Sequence, residues 1–339
     1  MFEVNRALPI EAHRGYRRVF RQDRLTLGVM VPIESYAGDR PTMSHHVELA
    51  QFAEAAGFDA LWVRDVPLRD PGFGDVGQVH DAFAYLGYMA AQTRSIALGT
   101  AAIILPLRHP LHTAKAAASI DQLSGGRLVL GVAAGDRPSE FPAFGVDHLE
   151  RAELFRDNLM VLQRALTESF PAIDSRYGHA EGVDLVPKPV AHGIPLLVTG
   201  RAGQTLEWIA GHAHGWLSYP RPAAAQAQVV AEWRRAQRSV RTQADLPFAQ
   251  SLYIDLLRDP DADAVPMHLG YRLGRRALVR LLKALHAAGV AHVIFNLKYG
   301  HRGAGEVMRE LATSVLPDLQ SPSAFGASPA SPVSATEAR

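Results

Sequence analysis

Eight times along the chain, a short run of apolar and β-branched residues is followed by a longer stretch whose apolar positions recur at helical spacing. That alternation is the strongest constraint on the fold, because strands separated by helix-length crossovers pair in parallel. The runs are 25–31 (LTLGVMV), 60–63 (ALWV), 96–105 (IALGTAAIIL), 128–134 (LVLGVAA), 195–199 (PLLVT), 215–217 (GWL), 249–256 (AQSLYIDL) and 292–297 (HVIFNL). The helical patterns that follow them cover 43–57, 82–93, 110–123, 151–166, 204–211, 223–240, 274–288 and 306–316. Gly57 supplies a helix stop, and Pro110 opens a helix where its missing N–H costs nothing. No Pro- or Ser-rich linker interrupts residues 25–319, so one closed barrel fits better than an open doubly wound sheet. The expected architecture is therefore α/β, a single (β/α)8 TIM barrel with loop insertions over 25–319. An Arg-rich N-terminal arm (1–24) precedes it. A disordered tail (320–339) follows, its Ser, Pro and Ala offering little burial to offset the entropy of ordering.

Composition removes several classes of function. With 339 residues, 47% of them hydrophobic, the chain can bury a large core without staples. Lys plus Arg number 35 against 34 Asp plus Glu, a net charge of +1 that makes no case for nucleic acid, an acidic membrane or another polyanion. The absence of cysteine excludes disulfide scaffolds, thiolate zinc sites, iron–sulfur clusters and Cys nucleophiles. The longest apolar stretch, 96–107, falls short of the roughly 20 residues that a membrane span needs. Residues 1–24 carry six arginines but no apolar core with a cleavage site. Glu3, Glu11 and Asp23 speak against a transit peptide, so a cytoplasmic protein is expected. The P-loop, HExxH and GxSxG motifs are all missing. His45 with His46, and His212 with His214, have no third ligand at sensible spacing, so no metal is expected.

In a (β/α)8 barrel the chemistry sits on the loops at the C-terminal ends of the strands. The second strand leads into Arg64, Asp65 and Val66, then a Gly-rich segment at 67–80 long enough to move as a lid. After the fourth strand, Gly135-Asp136-Arg137-Pro138 reads as a solvent-facing charged turn. After the fifth, 199–205 (TGRAGQT) opens a helix. Its glycines, free N–H groups and Arg201 suit a phosphate, and suit equally well a tightly packed helix cap.

The run 99–159, with PLRHP at 106–110 and DQLSGGRL at 121–128, resembles the luciferase-like monooxygenase family of flavin-dependent oxidoreductases. So do 56–65 (AGFDALWVRD), 185–222 and 292–300 (HVIFNLKYG), in the family's order across 25–319. LTLGVMVPIE, GDRPSEFPAFG, SLYIDL and HLGYRLGR resemble one luciferase-type subgroup of unknown substrate. The resemblance implies a monooxygenase that binds reduced FMN at the barrel mouth and uses O2 as co-substrate on a small organic substrate. A separate flavin reductase, met transiently, would supply the cofactor, and the protein would be a homodimer or higher homo-oligomer with no nucleic-acid or membrane partner. Two alternatives accompany it: an F420-dependent dehydrogenase that moves hydride without O2, and a non-catalytic flavin-binding protein.

Carried over residue by residue, the resemblance sets Thr100 and Ala101 against the isoalloxazine, near a non-proline cis peptide within 99–103. Asp65, Ala134, Gly135 and Asp136 line the flavin, while Gly200, Arg201, Gly203 and Gln204 take its phosphate. Arg108 and His109 fix the loop and the following helix. On the substrate side stand His80, His268, Tyr271 and Arg272, each weighed against a solvated or core-packing role. No residue is assigned as acid or base, since in this family the cofactor carries the difficult step.

Overall fold

All eight predicted strands form and lie parallel: β1 (Thr26–Met30), β2 (Ala60–Val63), β3 (Ala97–Thr100), β4 (Leu128–Ala133), β5 (Leu196–Thr199), β6 (Gly215–Ser218), β7 (Phe248–Leu256) and β8 (His292–Asn296). In this computed structural model, which describes residues 10–73, 80–241 and 245–320, β8 pairs with β1 as well as with β7 and closes the barrel. Thr26 is in register with His292 and Val29 with Phe295.

The helix α1 (Arg14–Val19) precedes β1, and α2 (His46–Ala55), α3 (Ala82–Gln92), α4 (Pro110–Ser124), α5 (Arg151–Thr167), α6 (Leu206–His212), α7 (Ala223–Val240), α8 (Arg275–Ala287) and α9 (Ala304–Glu310) follow the eight strands in turn. Their ends are set by local chemistry. Asp81 caps α3 by accepting the Ala84 N–H at 2.9 Å, and Thr205 caps α6 by accepting that of Trp208 at 3.1 Å. Pro110 begins α4, and Gly125 ends it in the left-handed conformation at φ +66°. None of the helices among the described residues is long and apolar enough to cross a membrane.

Two apolar layers result. The larger lies between strands and helices, and a smaller one fills the barrel around Trp62. A Cβ on Gly28 or Gly99 would stand 2.7 or 2.4 Å from the Trp62 ring, so glycine on the two flanking strands makes room for the indole.

The stretch before residue 25 does more than trail. From Ile10 onward it folds into a short 3-10 turn and α1, whose Gly15 N–H donates to the Gly126 carbonyl at 2.8 Å. Val19 joins the apolar layer inside the barrel, fully buried. The expected strand at 96–105 divides at Ala101–Ala102, a cis peptide, and resumes as Ile103–Ile104 beside β4. Two antiparallel hairpins also appear, Ile173–Ser175 with Gly178–Ala180 and Val265–Met267 with Gly270–Leu273; the second extends β7 through parallel pairing. The tail expected at 320–339 lies outside the described residues, apart from Gln320.

Candidate active site

At the C-terminal ends of the strands a cavity of about 350 Å³ opens, within the scale of roughly 300–1,000 Å³ usual for small-molecule and cofactor sites. Its base is apolar and low, built from Met30, Ala101, Ala102, Ala133, Leu217 and Ile294. Of the residues carried over for the flavin, Asp65, Ala101, Ala134, Gly135, Asp136, Gly200, Arg201 and Gly203 line it.

Thr100 and Gln204 do not. The Thr100 hydroxyl donates to the Gly131 carbonyl at 2.7 Å inside the wall. Gln204 braces the loop from behind, accepting from Arg156 at 2.9 Å and donating to the Ala152 and Ala202 carbonyls.

Asp65 lines the cavity, but its charge is spent on the wall. Nε and Nη2 of Arg108 donate to its two oxygens at 2.8 and 2.6 Å, and the Ile104 N–H donates to Oδ2 at 3.1 Å. Arg108 also reaches Asp81, the cap of α3, at 2.9 Å. Burial works against the Arg108 charge, yet the two carboxylates more than offset it and raise its pKa. Asn158 of α5 ties the same segment by donating to the Leu105 and Arg108 carbonyls at 2.9 and 2.7 Å. His109 caps α4, accepting weakly from the Leu111 N–H at 3.3 Å.

The loop after β5 turns sharply, with positive φ at Gly200, Ala202 and Gly203. A Cβ on Gly203 would lie 2.4 Å from that of Ala152, so only glycine lets the loop touch the start of α5. That approach brings Arg151, the first residue of α5, to the same cavity as Arg201. Arg151 is steadied by donating to the His148 carbonyl at 2.9 Å, and Arg201 lies 4.0 Å from Glu232. Thr199, at the end of β5, lines the cavity with a buried hydroxyl that has no partner among the described residues. Two guanidiniums, a glycine turn and an orphan hydroxyl form a donor set with the chemistry a phosphate requires.

The four substrate-side candidates stand off the cavity. His80 is exposed and stacks on Tyr85; His268 packs against Tyr253 and Tyr299. Tyr271 joins the core, and Arg272 pairs at 2.6 Å with buried Asp255, which His301 also meets at 2.8 Å. Besides Arg151 and Arg201, the cations that line the cavity are Arg64, bonded to the Tyr253 hydroxyl at 2.6 Å, and Arg137. In the turn at 135–138 Asp136 and Pro138 face solvent as expected, but Arg137 does not: it is only 6% exposed and its guanidinium lies 4.6 Å from the centre of the Phe73 ring. Fully buried Phe141, four residues on, anchors the turn inward. Of the segment expected as a lid, Phe73 lines the cavity, and residues 74–79 lie outside the described residues.

A cavity at the C-terminal ends of the strands is where enzymes of the (β/α)8 fold carry their active sites. Residues 25–310 match the model of the luciferase-like monooxygenase family, and the chain belongs to that family of oxidoreductases. It is 30% identical over 223 residues to 4-hydroxyprotoasukamycin monooxygenase of Streptomyces nodosus subsp. asukaensis, covering 63% of this chain and 58% of that protein. The chain therefore spans a little over half the length of that relative. Among solved structures, the oxygenating constituent of 3,6-diketocamphane monooxygenase from Pseudomonas putida, in complex with FMN, superposes with a TM-score of 0.69 at 13% identity, covering 87% of this chain and 99% of that one. An F420-dependent secondary alcohol dehydrogenase superposes at 0.71 with 16% identity, covering 88% and 100%. Both share the fold.

Proposed function

We propose that this protein is a flavin-dependent monooxygenase that takes reduced FMN from a separate reductase and uses O2 to oxygenate a small organic substrate. The observation that carries the reading is the convergence of Arg151 and Arg201 on the glycine turn at one end of the alanine-lined base. Reduced FMN, when bound, supplies the two electrons that let one oxygen atom of O2 enter the substrate while the other leaves as water.

The chain's own residues then bind, orient and exclude water. Arg151 and Arg201 hold the phosphate, with the Thr199 hydroxyl as a further donor. Ala101, Ala102 and Ala134 offer a surface low enough for a planar ring system, and Asp65 with Arg108 keeps that surface in place. Met30, Leu217 and Ile294 keep the base dry, which strengthens every polar interaction above it. No acid–base triad is required, because positioning is the protein's share of the work.

The test is anaerobic mixing with reduced FMN and, separately, reduced F420, followed by protein fluorescence, then admission of oxygen with absorbance and oxygen uptake recorded. Binding of reduced FMN and accelerated oxygen consumption are expected. A preference for F420 without reaction with oxygen makes the protein a dehydrogenase instead, and binding of flavin without turnover across a broad substrate panel makes it a binding protein.

A further inference from the structure

Four arginines line the cavity, Arg64, Arg137, Arg151 and Arg201, against two aspartates, Asp65 and Asp136. Asp65 is neutralised by Arg108, and Arg151 with Arg201 stands at the phosphate end. Arg137 differs from the others in its surroundings. Its side chain is 7% exposed, and among the described residues its guanidinium makes no hydrogen bond. The nearest acid, Glu140, stays 3.8 Å away, beyond hydrogen-bonding distance. The Glu140 carboxylate is itself buried. The guanidinium carbon sits 4.6 Å from the centroid of the Phe73 ring, within cation–π range.

A buried guanidinium carries five N–H donors in a rigid fork, and such groups are rarely left unsatisfied. The fork matches the two oxygens of a carboxylate. Two observations set this position apart from the phosphate site. It stands on the turn after β4, beside the loop after β2, whereas Arg151 and Arg201 stand at α5 and after β5. The Glu140 carboxylate 3.8 Å away balances the single positive charge and disfavours a phosphate dianion, while the unbonded N–H groups of the fork still offer paired hydrogen bonds to a carboxylate.

We infer that Arg137 anchors the substrate, and that the substrate is an organic monocarboxylate whose charged group is gripped by this guanidinium beside Phe73. Glu140 is the positioning residue that holds the guanidinium in place. The inference rests on the flavin reading of the cavity and specifies what occupies the remaining space.

Calorimetric titration of the FMN-loaded protein with benzoate against benzamide, and hexanoate against hexanamide, tests it. The acids should bind more tightly than their amides by roughly tenfold to a hundredfold, the equivalent of a charge-assisted pairing. Arg137→Gln should erase that preference while FMN affinity stays unchanged, and Arg137→Lys should keep part of it. Because Arg137→Gln strands the buried Glu140 carboxylate, the double variant Arg137→Gln/Glu140→Gln is measured beside it and should behave alike. Equal binding of acid and amide by the wild type, no binding of either, or a preference that survives both variants overturns the inference. Loss of FMN affinity in Arg137→Gln to the extent seen in Arg201→Ala also overturns it, by moving Arg137 to the cofactor. Failure of the wild type to bind FMN defeats the flavin reading separately; the acid and amide comparison is then made on the protein alone.

Discussion

Asp65 and Arg108 lock the wall of the cavity to its base, two carboxylate oxygens meeting two guanidinium nitrogens at 2.8 and 2.6 Å. The Asp65 side chain is 3% exposed and that of Arg108 25%, so this pair works in a poorly screened setting, unlike most surface ion pairs. Asp65→Asn leaves Arg108 with only the half-exposed Asp81 and weakens the tie to Ile104. A loss of about 2 kcal/mol is expected, since one partner of the guanidinium survives. Asp81→Asn should cost less than half as much. Urea unfolding midpoints measure both, and equal losses would contradict the assignment of Asp65 as the strut.

The glycine turn after β5 makes a second prediction. Gly203→Ala brings a methyl to 2.4 Å from the Ala152 Cβ and forces a side chain onto φ +73°. Gly182 has φ +69° but open space around its Cβ position, so Gly182→Ala isolates the backbone cost of about 1–2 kcal/mol. Gly203→Ala should lose about 1–3 kcal/mol more, for overpacking, and should weaken FMN binding as Arg151 moves away from Arg201. Thermal unfolding with and without FMN separates the two effects.

Stability should fall as pH drops below neutrality, because the buried His292 and the partly buried His214 refuse protons. His292 Nε2 accepts the Trp62 indole N–H at 2.9 Å, which places the ring proton on Nδ1, 2.7 Å from the Thr26 hydroxyl. Burial lowers its pKa to about 3, and burial followed by the Arg241 charge lowers that of His214 to about 4. Above the unfolded value near 6.5 both states are neutral and pH has no leverage. Below it the unfolded chain binds protons that the folded one excludes, and stability declines by up to about 1.4 kcal/mol per pH unit for each group. For His214 the decline ends near pH 4, and for His292 near pH 3. Urea titrations between pH 7.5 and 5 should show the slope, and His292→Asn should make it shallower. An unchanged slope in that variant would contradict a neutral His292.

Much of this was readable from sequence. Period and punctuation marked all eight strands, since β-branched runs and helix caps are local signals. The short hairpins were not, because Pro266 and three-residue strands carry no alternation to detect. At the site, the glycines and Arg201 announced the turn after β5, but Arg151 looks like any polar residue opening a helix. It joins the cavity through a long-range contact, the approach of Gly203 to Ala152. Arg137 read as solvated because charge in a Pro-containing turn is usually exposed, and only the burial of Phe141 shows otherwise. Arg272 and His268 pointed the other way: their residue types suited a ligand, while their neighbours Asp255, Tyr253 and Tyr299 claim them.

The central claim is that a flavin phosphate is held where Arg151 and Arg201 meet. Anaerobic titration with reduced FMN and with reduced riboflavin, which differ only in that phosphate, tests it most directly. The wild type should favour FMN by roughly a hundredfold; Arg201→Ala alone should cost about 1.5–3 kcal/mol of FMN affinity, and Arg151→Ala/Arg201→Ala should bring the two ligands together. Equal affinity of the wild type for both, or a preference for FMN that survives the double variant, would contradict it.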